Sequence, residues 1–184
     1  MRKKIIYSGL CVLGSVLLLL SGCGYTTRSA IGGKYRTIYI TPFINKIDIT
    51  QEADAASKYV IYRPQIETDV TRRVINRFLF DGNLKPVKEE TAEVALKGEV
   101  VEFRKDPVRY ASNEEDVEEY RVNLIVNISL WNKKENKLIW EENRFTGQTS
   151  YFVTGNQAIT EAQAVTNSLD DLARRIVERA VEQW

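Results

Sequence analysis

The chain has 184 residues with 26 Lys and Arg against 25 Asp and Glu, a formal charge of +1. It contains no histidine and only two cysteines, Cys11 and Cys23. That inventory removes the commonest general base and metal ligand, excludes a Ser-His-Asp triad and a zinc site, and gives no basic excess of the kind a general nucleic-acid binder carries.

The N-terminus reads as an export signal. Arg2, Lys3 and Lys4 are followed by an almost wholly apolar run from Ile5 to Leu20, then by Ser21, Gly22 and Cys23. A charged start, a short apolar stretch and small residues describe a secretory signal peptide. The run is shorter than the roughly 20 residues of a membrane span. Leu20-Ser21-Gly22-Cys23 resembles the bacterial lipobox. The resemblance implies cleavage before Cys23 and a diacylglycerol and an N-acyl chain on that cysteine; the alternative is an uncleaved anchor. Three of the positive residues precede Cys23, so the mature part has 23 positives against 25 negatives, a net of −2. Cys11 leaves with the signal, so no internal disulfide is available.

Residues 23–36 are glycine-rich and polar and read as a tether. At about 3.3–3.6 Å per residue they keep the following domain within about 50 Å of a membrane. Residues 37–184 then suit one domain. Thr37 to Phe43 alternates and favours a strand that runs out at Pro42. Residues 44–63 fit either a loop or the start of a helix. From Pro64, Ile66, Val70, Val74 and Phe78 recur every four residues, with Ile75 and Leu79 beside them, which predicts a helix ending at Asp81-Gly82. Leu84 to Val87 fits a very short strand limited by Pro86.

Glu93 to Lys105 predicts a strand with Val94, Leu96 and Val100 on one face and Ala95, Lys97, Glu99, Val101 and Phe103 on the other, with Gly98 as a bend or bulge. Pro107 to Glu119 reads as an exposed acidic connection. Tyr120 to Trp131 alternates strictly. Tyr120, Val122, Leu124, Val126, Ile128 and Leu130 make an apolar face, and Arg121, Asn123, Ile125, Asn127, Ser129 and Trp131 a wetter one. Asn132 to Asn136 is a turn, and Lys137 to about Tyr151 returns as a strand. A helix from about Asn156 to Val181 carries Val165, Leu169, Leu172, Ile176 and Ala180 as its apolar stripe, with Thr154 and Gln157 as a capping box. The expected fold is α+β: two amphipathic helices on one face of a roughly four-stranded mixed sheet, in the order β-α-(β)-β-β-β-α.

Several pieces in this order resemble one family. They are Cys23-Gly24-Tyr25, Ile38-Tyr39-Ile40-Thr41-Pro42-Phe43-Ile44-Asn45, Asp81-Gly82-Asn83-Leu84-Lys85-Pro86-Val87 and Ala92 to Val100. Glu119-Tyr120-Arg121-Val122, Lys137-Leu138-Ile139-Trp140-Glu141 and Leu172 to Glu178 complete the set. Together they are similar to the LPS-assembly lipoproteins of the LptE family. The resemblance implies two helices on a four-stranded sheet and a lipid anchor at the outer membrane, on its periplasmic face. It further implies a complex with the translocon β-barrel LptD, whose lumen the lipoprotein plugs while lipopolysaccharide passes to the surface. Gly24 is compatible with outer-membrane sorting. The Ile38-x-x-x-Pro42-Phe43-x-Asn45 strand also occurs in periplasmic accessory lipoproteins that regulate peptidoglycan synthesis or secretion-pore assembly, and this is the alternative.

The candidate contacts follow. Basic residues contact lipopolysaccharide in enteric members; matching positions are absent here, and Arg104, Lys105 and Arg109 flank the corresponding loop instead. Arg and Lys suit lipid A phosphates, although a solvated strand end has the same composition. Trp131, followed by Lys133, Lys134 and Lys137, makes a hairpin tip that fits either lipopolysaccharide, the barrel wall or a plain soluble turn. Tyr39, Phe103, Trp131, Trp140, Phe145, Tyr151, Phe152 and Trp184 are either interface anchors or ordinary packing. The acidic run Glu114, Glu115, Asp116, Glu118 and Glu119 fits a divalent cation or, more simply, a solvated loop. No constellation points to an enzyme, a bound metal or a further cofactor.

Overall fold

The computed structural model describes residues 34–48, 63–112 and 116–182. The signal, the lipobox with Cys23, Glu114, Glu115, Trp184 and most of the 44–63 stretch lie outside the described residues. The elements are β1 (Thr37–Ile40), β2 (Ile44–Asn45), α1 (Ile66–Asp81), β3 (Lys85–Pro86), β4 (Val94–Tyr110), β5 (Val117–Asn132), β6 (Lys137–Phe152) and α2 (Glu161–Val181). The strands form one mixed sheet in the order β3-β1-β4-β5-β6, with β2 also on β4. β1 runs parallel to β3 and β4, and the three long strands are antiparallel neighbours. Six described strands replace the expected four because the bracketed short strand does form, as β3 on β1, and because the first strand is split. β1 and β2 are two pieces of one path along β4, at Ile38–Ile40 against Val94–Leu96 and at Ile44–Asn45 against Glu99–Val100. Pro42, with no N–H to give to a ladder, breaks that path as the sequence predicts.

α1 buries Ile66, Val70, Val74 and Phe78, each at most 1% exposed. Gly82 ends it at φ 76°, its N–H donating to the Phe78 carbonyl. α2 buries the expected stripe together with Ala164, Ser168, Ala173 and Val177. It begins five residues later than predicted. The cap is Thr160, whose side chain accepts from the Gln163 N–H at 3.2 Å, not Thr154. Residues before it are used otherwise: Gly155 adopts φ 85° and Phe152 bridges to Ala158. The buried residues of both helices and of one sheet face make a single apolar cluster.

Two glycines mark close approaches. A Cβ on Gly147 would stand 2.4 Å from the Cβ of Leu172, which lets α2 lie directly on β6, and one on Gly98 would stand 2.1 Å from the Phe43 ring. Gly98 is therefore not the bulge. The register shift falls between Val100 and Glu102, where Val101 is the extra residue on β4. It reverses the alternation, so Phe103, predicted for the face of Ala95 and Lys97, is fully buried in the core. The connection predicted over Pro107 to Glu119 is mostly strand, because β4 continues to Tyr110 and β5 starts at Val117. Pro107 is tolerated there because β2 stops pairing at Val100, leaving β4 with β5 on one side only.

Candidate functional site

The candidate side chains fall at the two ends of the long sheet. Trp131 pairs with Ala95 and Glu119 with Arg109, so the two groups stand about 40 Å apart at ~3.3 Å per residue. The near end receives the chain from residue 34, and the far end carries the β4–β5 connection. Arg104, Lys105 and Arg109 all lie on the far half of β4, and the structure gives each a different set of partners.

Arg104, on the sheet face away from the helices, lies between two carboxylates of its own strand. Its Nη1 is 2.8 Å from Glu102 and its Nε is 2.9 Å from Asp106. Lys105 points the other way. Its Nζ donates to Glu161 on α2 at 2.6 Å and stands 4.9 Å from the centre of the Tyr120 ring. Arg109 is looser, 3.7 Å from Glu119 and 5.4 Å from the centre of the Phe152 ring. Strand alternation explains the split: neighbours i and i+1 face opposite ways. Beside Lys105, Tyr151 is 4% exposed, stacks on Tyr120 at 6.0 Å and reaches Glu161. Burial, then the Glu161 charge, pushes its phenol up to about 12.

The face away from the helices is a mosaic of paired charges that sequence reasoning missed. Arg144 donates to Glu102 at 2.7 Å, and Asn123 donates to Asp106 at 2.6 Å. These contacts tie β4, β5 and β6 together. They also explain an error of pattern. Asn123 and Ile125, predicted for the wetter face, are only 7% and 4% exposed. Ile125 sits between Glu102 and Thr146 in the ladders, where long charged side chains cover it with their apolar stems. The spacing Glu102, Arg104, Asp106 at i, i+2, i+4 was the available signal, since alternating charges on one strand face can pair along it.

At the near end Trp131 donates its indole N–H to Ser129 at 3.0 Å and lies under Lys97, whose Nζ is 4.7 Å from the ring centre. Tyr39, Ala95, Trp131 and Leu138 form one row across four strands. Lys133 bonds the Glu89 carbonyl, with the Glu89 carboxylate at 4.0 Å, whereas Lys134 is exposed. Glu93 clasps the start of β1: its carboxylate accepts from Arg36 N–H at 2.6 Å and Thr37 N–H at 3.0 Å. Those backbone hydrogen bonds hold its carboxyl below the ordinary glutamate value. Among the aromatic candidates Phe103 and Tyr151 are core, Trp140 and Phe145 pack against it, and Tyr39, Trp131 and Phe152 remain half-exposed. No helix of the described residues is long and apolar enough to cross a membrane.

The model of the lipopolysaccharide-assembly family LptE matches residues 35–183, the whole two-layer domain just described. The chain belongs to the LptE family. A search of the curated proteins found no match. Among solved structures, a protein from Xanthomonas campestris is similar with 10% identity, covering 77% of this chain and 81% of that one at a TM-score of 0.53. A hypothetical protein from Chlamydia trachomatis shares 13% identity over 79% of this chain and 95% of that one, TM-score 0.50. At these identities the likeness is one of fold alone. Rare lipoprotein B from Shewanella oneidensis is more distant in shape, with 12% identity, 77% and 89% coverage and a TM-score of 0.40.

Proposed function

We propose that this LptE-family chain is an outer-membrane lipoprotein, acylated at Cys23, that supports lipopolysaccharide export by plugging an LptD-type β-barrel. Its role is binding and support, without catalysis. The observation that carries the reading is the family match over the entire folded domain. The geometry agrees with it. Barrel lumens are polar, and the face away from the helices presents neutralised, hydrogen-bonded charge: Arg104 with Glu102 and Asp106, Arg144 with Glu102. The domain is long, and its far end stands about 40 Å from the tether end, at ~3.3 Å per residue.

Of the six candidate contacts, Arg109 is the best placed for a lipid A phosphate. Its side chain is 59% exposed with one carboxylate at 3.7 Å, so an anion can take it without breaking a good pair. Lys134 is similarly accessible at the other end. Arg104, Lys105 and Lys133 are committed to Glu102 and Asp106, Glu161 and Glu89. The anchor is quantitative: one acyl chain holds marginally, at ~0.8 kcal/mol per buried CH₂, whereas two or three hold stably. Cys23→Ser is expected to leave a folded domain that no longer fractionates with membranes in cells lacking its barrel. Purification of the native lipoprotein in mild detergent tests the main reading. A large outer-membrane barrel should accompany it. Recovery without a barrel contradicts the reading, and recovery with a peptidoglycan synthase, or as rings by electron microscopy, favours the accessory-lipoprotein alternative.

A further inference from the structure

α1 ends on two large apolar side chains left in water. Leu79 is 59% exposed and Phe80 is 82% exposed, the most of any large apolar residue among those described. Successive helical positions turn by about 100°, which carries both off the buried row of Ile66, Val70, Val74 and Phe78. Arg77 lies against the pair, its guanidinium carbon 5.4 Å from the centre of the Phe80 ring. Contiguous exposed apolar surface of this kind marks a contact site more often than a lone side chain does.

The place of the pair in the fold is specific. Gly82 ends the helix, and β3 follows at Lys85, which pairs with Thr37 at the start of β1. Lys34 stands three residues before Thr37 and eleven after Cys23. Leu79 and Phe80 are therefore at the end of the domain that receives the tether. At ~3.3–3.6 Å per residue, Lys34 stays within about 40 Å of the acylated cysteine. The charge at this end is mixed, with Lys34, Arg36, Lys85 and Lys88 exposed beside Glu89 and Glu90, so it selects no headgroup charge. An apolar pair with an aromatic ring and a flanking arginine suits the boundary of a bilayer, where rings and snorkelling cations settle.

So small a patch would not hold a free protein on a membrane, and it does not have to. A short flexible tether keeps the domain at a roughly millimolar effective concentration beside the leaflet, where a contact of about millimolar dissociation constant is half made. Acyl chains on a flexible linker fix where the domain is and leave its tilt free; a second contact fixes the tilt.

We propose that Leu79 and Phe80 are a second membrane contact, seated in the interface of the leaflet that holds the acyl chains whatever its headgroup charge, and that they keep the near end of the domain at that depth. The proposal rests on the anchor in the reading above and needs no barrel.

The mature chain from residue 23, made without acylation, keeps Cys23 as its single thiol. It is coupled through that thiol to a maleimide lipid in vesicles of phosphatidylcholine, or of phosphatidylcholine mixed with phosphatidylglycerol, whose acyl chains are brominated to quench tryptophan. Phe80→Trp reports the contact, the unsubstituted chain gives the baseline, and Tyr110→Trp at the far end is the control. The tryptophan added at position 80 should lose about half its emission in both lipids, and the one added at position 110 should keep it. Leu79→Asp in the Phe80→Trp chain should weaken the contact about tenfold or more and restore the emission. With Phe80 itself in place, amide exchange across residues 77–82 should be slower on the coupled vesicles than in solution. Quenching no greater than that of Tyr110→Trp, or confined to the anionic vesicles, overturns the inference. So does a dimer of the uncoupled chain that Leu79→Asp dissolves, which makes a second copy the occupant. Because the coupled tether is synthetic, none of these results bears on acylation of Cys23 or on barrel co-purification, which test the broader reading.

Discussion

The two faces of the sheet are built on opposite principles. On the helix side, Ile38, Leu96, Val100, Phe103, Leu124 and Leu130 are fully buried beneath α1 and α2. On the other side nothing among the described residues covers the sheet, and the surface is held by Glu102, Arg104, Asp106, Asn123 and Arg144 bonding one another. The first face stabilises the fold through apolar area removed from water. The second contributes little stability, because exposed ion pairs are individually weak. It presents instead an ordered polar surface, suited to a wet and polar enclosure. The contrast teaches that the helix face carries folding and the open face is free for a partner.

Substitutions can break this contrast. Phe103→Ala, on the helix face, should cost about 3–5 kcal/mol in chemical denaturation; a loss below about 1 kcal/mol would place Phe103 outside the core. Gly147→Ala should cost about 1–3 kcal/mol or more, because the added carbon meets the Leu172 backbone at 2.6 Å. On the open face, Arg104→Ala should cost no more than about 1 kcal/mol, and the loss should shrink further at high salt. Acid sharpens the picture at the near end. Because Glu93 has a folded-state pKa below its unfolded one, its stabilisation is present above about pH 4.3 and lost as pH falls through the lowered folded value. Glu93→Gln should remove that part of the acid dependence, read as a flatter denaturation midpoint below pH 5. Lys134→Ala should be silent in stability, within about 0.5 kcal/mol.

Much of the helix face was legible in the sequence. Ile66, Val70, Val74 and Phe78 sit at helical spacing, and Val122, Leu124, Val126, Ile128 and Leu130 recur at every second position, so both buried faces follow from period alone. The break at Pro42 and the stop at Gly82 were legible because those residues act on their own backbone. What could not be read depended on partners distant in sequence. Val101 carries no mark of a bulge; it becomes the extra residue only because β5 continues regularly opposite it. Gly98 looked like a kink and is a seat for Phe43, 55 residues earlier in the chain. The open-face mosaic needs three strands in register before Arg144 can meet Glu102. The split of Arg104 from Lys105 is of the local kind, since alternation along β4 alone sends neighbours to opposite faces.

The central claim is that the open face lies against the wall of a translocon barrel. A photo-crosslinking residue placed in living cells at Arg121 or Ser150, which meet on that face with Arg121 Nε 3.2 Å from Ser150 Oγ, tests it most directly. The account predicts a light-dependent adduct of each with a large outer-membrane β-barrel protein. Adducts formed only with other periplasmic proteins, or none while the lipoprotein is present at its normal level, would contradict it.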